Sequence, residues 1–303
     1  MEAYLIAMVI FAGFYALLAL GLNVIWGLGG IINLGLAGFF GVGAYVTAML
    51  TVRAGWPIAA GIAAAAVVSA AAGAVLSLIV ARLKGDYLAI VTLGFAEVVR
   101  LVASNEIWLT NGTDGISNIP GPWRGEVGTG AFNLIMLGIV WTIVIVVALL
   151  LARLSHAPFG RVLRAIREDE MVAAVAGKRV LAFKTIAFAI SAAVLGIGGA
   201  LYAHYNAYIA PDGLVPLLTI YAVLALTAGG TGRMSGAVLG ALVLVALMEG
   251  TRFLAAEIPG LRPVQVAAVR EMSVGLMLIL VLRFRPEGLL SERPPRLAQG
   301  ATR

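Results

Sequence analysis

The chain has no cysteine. That excludes disulfides, thiolate metal sites and a cysteine nucleophile together. Histidine is almost as scarce: His156 and His204 are the two in 303 residues. They stand far apart in sequence, which argues against a histidine-rich metal centre. Charge is also short, at 12% of residues, about half the roughly 25% of a soluble domain. Glycine is plentiful between 27 and 50, but no lysine and serine or threonine pair follows it, so a phosphate-binding loop is excluded. With no nucleophile–base pair and no cofactor fingerprint, nothing in the sequence points to an enzyme.

What is present is apolar. Hydrophobic residues make up 61% of the chain and the mean hydropathy is +1.02. Apolar runs of about twenty residues recur along it, the length that crosses a bilayer as a helix. The expected fold is all-α: a polytopic transmembrane helical bundle of about nine spans. The runs are 4–22, 27–50, 57–81, 87–103, 132–152, 181–205, 214–228, 237–254 and 272–282. No basic segment precedes the first, which reads as a retained helix. The second is crowded by Gly35, Gly38, Gly41 and Gly43, which permit close packing or break a helix, so 27–50 either spans or re-enters.

On this reading residues 1–283 form a membrane domain, with an outer loop at 104–131 and a charged loop at 153–184. A tail follows at 284–303. If 153–184 is cytoplasmic, fifteen of the 21 basic residues fall on its side. Arg53, Arg124, Arg252, Arg262 and Arg270 fall on the other, and Arg100 lies at the outer end of a span. This positive-inside bias places the carboxyl terminus in the cytoplasm and the amino terminus outside. If 27–50 re-enters, the amino terminus moves inside. The net charge of +6 is therefore a topology signal rather than a sign of nucleic-acid binding.

Few polar groups interrupt the spans. Glu97 and Arg100 stand three residues apart, as do Glu249 and Arg252, so each pair shares a helical face. Charge in the bilayer interior is costly, and such pairs either line a translocation path or neutralise each other at its edge. His204 is either part of that path or a hydrogen-bonded interfacial side chain.

The longest polar interruption is Arg153–Lys184. Read as one helix, RVLRAIREDEMVAAVA gathers Val162, Ile166, Val172 and Ala176 on an apolar side. Arg161, Arg164, Arg167, Glu168, Asp169 and Glu170 occupy much of the rest. Gly160 precedes it and Gly177 follows, which suits a helix start and stop. Such a helix either joins two spans as a solvated loop or docks onto a soluble motor.

Several stretches resemble one family. INLGLAGFFGVGAY (32–45), GDYLAIVTLGFAEVVR (85–100), LTNGTDGISNIPGP (109–122), GRVLRAIREDEMVAAVAG (160–177), FAISAAVLGIGGALYAH (188–204) and FRPEGLL (284–290) look like the M-type permease of bacterial high-affinity branched-chain amino acid ABC importers. Permeases for urea, amides and other amino acids are closely similar, and an ion-coupled secondary carrier is the competing class. The resemblance implies a second, related permease, two cytoplasmic ATPases carrying ATP and magnesium, and an external substrate-binding protein. No cofactor is implied on this chain. The resemblance makes 160–177 the coupling helix, with Ala173, Ala174 and Gly177 as a short alanine–glycine signature and Val172 where a glutamate usually stands.

Overall fold

The computed structural model describes residues 2–83, 85–256, 263–285 and 287–290, with the side chains of 252–256, 263, 278 and 282 outside the description. Twelve helices are described in chain order: α1 (Glu2–Leu22), α2 (Leu36–Val52), α3 (Ile58–Ile79), α4 (Gly85–Asn105), α5 (Ile107–Thr110), α6 (Thr129–His156), α7 (Pro158–Glu168), α8 (Glu170–Val175), α9 (Val180–Asn206), α10 (Pro216–Gly229), α11 (Met234–Ala256) and α12 (Pro263–Phe284). Two residue pairs, β1 (Ile116–Ser117) and β2 (Tyr208–Ile209), form an antiparallel ribbon that ties the 106–128 loop to the end of α9. The chain is a multi-pass membrane protein: eight of the described helical segments are long and apolar enough to cross a bilayer.

The second apolar run, 27–50, resolves into two parts. α1 continues as a π-helical turn over Asn23–Leu28, and residues 29–35 then run without helix. Gly30 turns the chain at φ +66°, a conformation that costs glycine little. Backbone left unpaired inside a bilayer is expensive, and neighbouring side chains satisfy it here. Leu34 N–H donates to Thr92 Oγ1 at 3.0 Å, Gly35 N–H to Asn33 Oδ1 at 2.8 Å, and Thr219 Oγ1–H to Leu34 O at 3.2 Å. The 17 residues of α2 follow as a shorter apolar helix. Since Thr219 also accepts from Ala37 N–H at 3.4 Å, the first turns of α2 and α10 meet inside the bundle.

α9 is central, packed against α1, α2 and α3. Small residues bring the backbones together, as expected where lipid supplies no hydrophobic drive for helix association. A Cβ at Gly199 would fall 1.9 Å from Phe40 O, and one at Gly43 would fall 2.2 Å from Gly196 O. α4 lies outside α2, while α11 packs on α1, α10 and α12.

One boundary differs from the sequence reading. α12 begins at Pro263, so Arg270 and its neighbour Glu271 lie inside a span rather than in a polar link. At the other end of that helix, Leu289 and Leu290 donate their N–H groups to Ala228 O and Gly229 O at 2.9 Å each. The 287–290 segment thus caps α10 by pairing carbonyls that its last turn leaves open. Met1, Lys84, Arg262 and the tail from 291 lie outside the described residues.

Candidate functional site

At the end of the bundle where α6 finishes, the chain forms an elbow. Ala157 leaves helical geometry at ψ 167°, and Pro158 starts α7 at its first turn, where a missing N–H costs nothing. The helix therefore begins two residues before Gly160. It is not continuous to Gly177: Asp169 breaks it at φ −155°, ψ 111°. The Asp169 carboxylate accepts from Met171 N–H at 2.8 Å and Val172 N–H at 3.0 Å. It thereby caps a second helix, α8. Gly177, at φ +76°, ends α8 with Gly177 N–H on Ala174 O and Lys178 N–H on Ala173 O, the paired bonds of a Schellman cap.

The break changes which side chains are hidden. Gly160, Leu163 and Ile166 of α7 and Ala173 of α8 are buried against the bundle. Val172, expected on the apolar side, faces outward at 64% exposure, beside Met171 at 73% and Val175 at 88%. Arg164 and Arg167, expected to offer charge to water, turn inward. Arg164 Nη1 donates to Ser155 O at 2.9 Å, and Arg167 Nη1 to Gly27 O at 2.6 Å. Arg167 also pairs with Glu168 at 3.1 Å, and Glu170 reaches Lys184 of α9 at 2.9 Å. Arg161 and Ala174 are exposed. A groove of about 550 Å³ runs between α7 and α8, edged by Arg161, Glu168 and Lys178 and floored by Ala165 and Ala173.

Arg167 reaches the π-helical turn of α1, and the same turn is held from its other side. Asn23, fully buried, accepts from Gly232 N–H at 2.8 Å in the turn between α10 and α11. A movement of α7 therefore has a bonded route into α1 and from there into the α10–α11 turn. If this elbow receives a motor's work, Arg167→Ala keeps assembly with that motor and lowers substrate-stimulated ATP hydrolysis several-fold, because it removes the charge-assisted bond to Gly27 O, worth about 1.5–3 kcal/mol. Full stimulation in that variant would refute the route.

The intramembrane residues are dispersed. Arg100 and Glu97 form a bidentate pair at 2.9 and 2.5 Å on the flank of α4. Glu249, on α11, accepts from the hydroxyl of Tyr4, and the side chain of Arg252 lies outside the described residues. Both ring nitrogens of His204 are engaged, Nε2 with Thr47 Oγ1 at 2.9 Å and Nδ1 with Pro120 O at 2.6 Å. Arg124 completes that fastening by donating to His204 O at 3.1 Å and Tyr205 O at 2.5 Å. Tyr202 and Tyr205 pack on Phe11 and Phe14.

A family model described as "Branched-chain amino acid transport system / permease component" matches residues 4–282. The chain belongs to this permease family. It is 34% identical over 305 residues to the high-affinity branched-chain amino acid transport system permease protein LivM of Salmonella typhimurium, a match spanning 93% of this chain and 69% of that protein. It is 32% identical over 232 residues to the probable LivM of Methanocaldococcus jannaschii, covering 73% and 65%. The LivH permease of Escherichia coli matches at 25% over 292 residues, covering 91% of each chain. The family pattern thus extends over nearly every span of this permease and includes the elbow.

For this permease the Glu97–Arg100 pair carries a direct test. Glu97→Gln leaves the Arg100 guanidinium without its carboxylate in a membrane helix, and membrane abundance should fall several-fold. Replacing both by glutamine should restore it, as read by immunoblot of membrane fractions. A double variant as scarce as the single one would show that the pair does more than neutralise itself.

The sequence reading missed a third intramembrane cluster. Tyr221 donates its hydroxyl to Glu271 Oε1 at 2.7 Å and Oε2 at 2.8 Å, and Arg270 Nη2 lies 3.4 Å from Glu271 Oε1. A charged Arg–Glu step just before the last apolar run was the available signal. The sequence reading put a short polar link at 262–270 and left the start of the last span open.

Proposed function

We propose that this chain is one permease of an ATP-driven importer for branched-chain amino acids, with the elbow as the element that receives the motor's work. The observation that carries the reading is the α7–α8 geometry in a chain of this family. One face is fixed to the bundle through Leu163, Ile166, Arg164 and Arg167, while Met171, Val172 and Val175 project outward. An apolar triplet within a charged segment is a surface that a protein partner covers.

The elbow then lies in the cytoplasm, which agrees with the basic residues collected at that end. An odd number of crossings puts the amino terminus outside. A second, related permease completes the translocation path, two ATPases bind ATP and magnesium, and an external protein supplies the substrate. The physical need is plain: a branched-chain amino acid is a zwitterion with a small apolar side chain, and lipid would strand both charges. Because the external protein selects the substrate, the path can bind weakly enough to let it leave. Closure of the ATPases moves α7, which pulls on Gly27 through Arg167 and shifts α1 against its neighbours. Uptake of L-leucine by cells carrying the full set of subunits should vanish when the ATPase subunits are deleted. Uptake that persists without them would identify a secondary carrier, and uptake of urea or amides in preference to leucine would reassign the substrate.

A further inference from the structure

A cavity of about 180 Å³ lies where α2 and α10 begin, between them and α1 and α9, in the half of the bundle away from the elbow. Phe11, Phe14, Tyr15, Phe40, Tyr202 and Tyr221 wall it. Their rings meet edge to face, Phe14 with Tyr202 at 5.7 Å and Tyr15 with Tyr221 at 6.0 Å. Pockets that hold drug-sized ligands measure about 300–1,000 Å³, whereas an apolar cavity of about 150 Å³ holds benzene. The space fits a compact hydrocarbon group.

Charge lies behind one wall rather than in it, since Arg270 and Glu271 are not among the lining residues. The hydroxyl of Tyr221 ends on the Glu271 carboxylate, beside Arg270. Both residues are seven or eight positions into α12, roughly 10–12 Å from its start. Their mutual contact is single and long, 3.4 Å, unlike the bidentate Arg100–Glu97 pair. Arg270 Nε is buried and has no hydrogen-bond partner among the described residues. A charged pair kept in a span stands next to the cavity through Tyr221, whose hydroxyl is the polar group a ligand there would meet.

We infer that this cavity is a substrate subsite of the permease. The aliphatic side chain of an α-amino acid lies against the aromatic walls, and its polar end meets the Tyr221 hydroxyl, which Glu271 orients. The inference rests on the importer reading above and adds where the substrate dwells and why it is small. The aromatic faces also favour the ammonium end. Because apolar walls supply most of the surface, occupancy stays weak, as a transit site requires.

The test uses the complete transporter in proteoliposomes, with external binding protein, L-leucine and a diazirine analogue of leucine. In the wild type, photolabel should fall on peptides carrying Phe14, Tyr202 or Tyr221 and be competed away by excess L-leucine. Leu218 also lines the cavity, and Leu218→Trp, which fills it, should lower both labelling and L-leucine uptake at least about 10-fold. Basal ATP hydrolysis of the assembled complex should stay unchanged. Tyr221→Phe, nearly isosteric, removes only the hydroxyl held by Glu271 and should lower uptake roughly 5-fold. Label elsewhere in the membrane domain, together with full uptake by Tyr221→Phe, overturns the subsite and leaves the importer reading standing. If Leu218→Trp does not accumulate, unchanged uptake by Tyr221→Phe alone overturns it. Absence of ATP-dependent leucine uptake by the wild-type complex overturns both.

Discussion

Replacing Met171, Val172 and Val175 together by serine should abolish substrate-stimulated ATP hydrolysis while the protein still inserts and accumulates. The three side chains are between 64% and 88% exposed, so the bundle loses little packing when they shrink. A motor that covers them loses a great deal. Full burial of such side chains is worth about 1.5–3 kcal/mol each. Even if the three together contribute only about 3 kcal/mol, docking weakens roughly 100-fold. Co-purification of the ATPase subunits should fail for this variant and persist for Arg167→Ala, which acts after docking. Serine rather than aspartate is the sharper choice, because it adds no charge near Arg161 or Lys178. A triple variant that still recruits and stimulates the ATPases would remove the elbow from the coupling mechanism.

Hydropathy and the basic residues made the spans and the elbow legible, because burial in lipid writes itself as long apolar runs and loops collect the charge. The break at Asp169 was not legible. Helix-forming residues flank it on both sides, and the carboxylate that caps α8 looks in sequence like one more charge on a solvated face. The inward turn of Arg164 and Arg167 was hidden for a related reason. Their partners are the carbonyls of Ser155 and Gly27, and backbone acceptors have no residue type to read. The break within 27–50 was only half legible: glycine permits it, and side chains far along the chain, Thr92 and Thr219, hold the broken stretch in place. Arg270 was misplaced because charge was taken as the mark of a loop, when Tyr221 on a neighbouring helix accommodates the adjacent Glu271 inside the span.

Gly199→Val is expected to remove the protein from the membrane almost entirely. The α2–α9 crossing has no slack: a Cβ on Gly199 falls 1.9 Å from Phe40 O and 3.1 Å from Ala44 N. These are backbone atoms of a buried helix and cannot swing aside as a side chain would. Forcing atoms into a packed core costs about 1–3 kcal/mol even where neighbours can adjust. Here α2 must move away from α9 as a body, and with it the Asn33–Gly35 segment whose bonds to Thr92 and Thr219 depend on its position. Gly94→Val is the matched control, since nothing lies within 4 Å of a Cβ built there, and it should accumulate normally. Membrane abundance and monodispersity in mild detergent read both variants. Normal behaviour of Gly199→Val would mean that α2 can separate from α9 without unfolding, and the crossing would then be a movable joint rather than the fixed centre on which the elbow pulls.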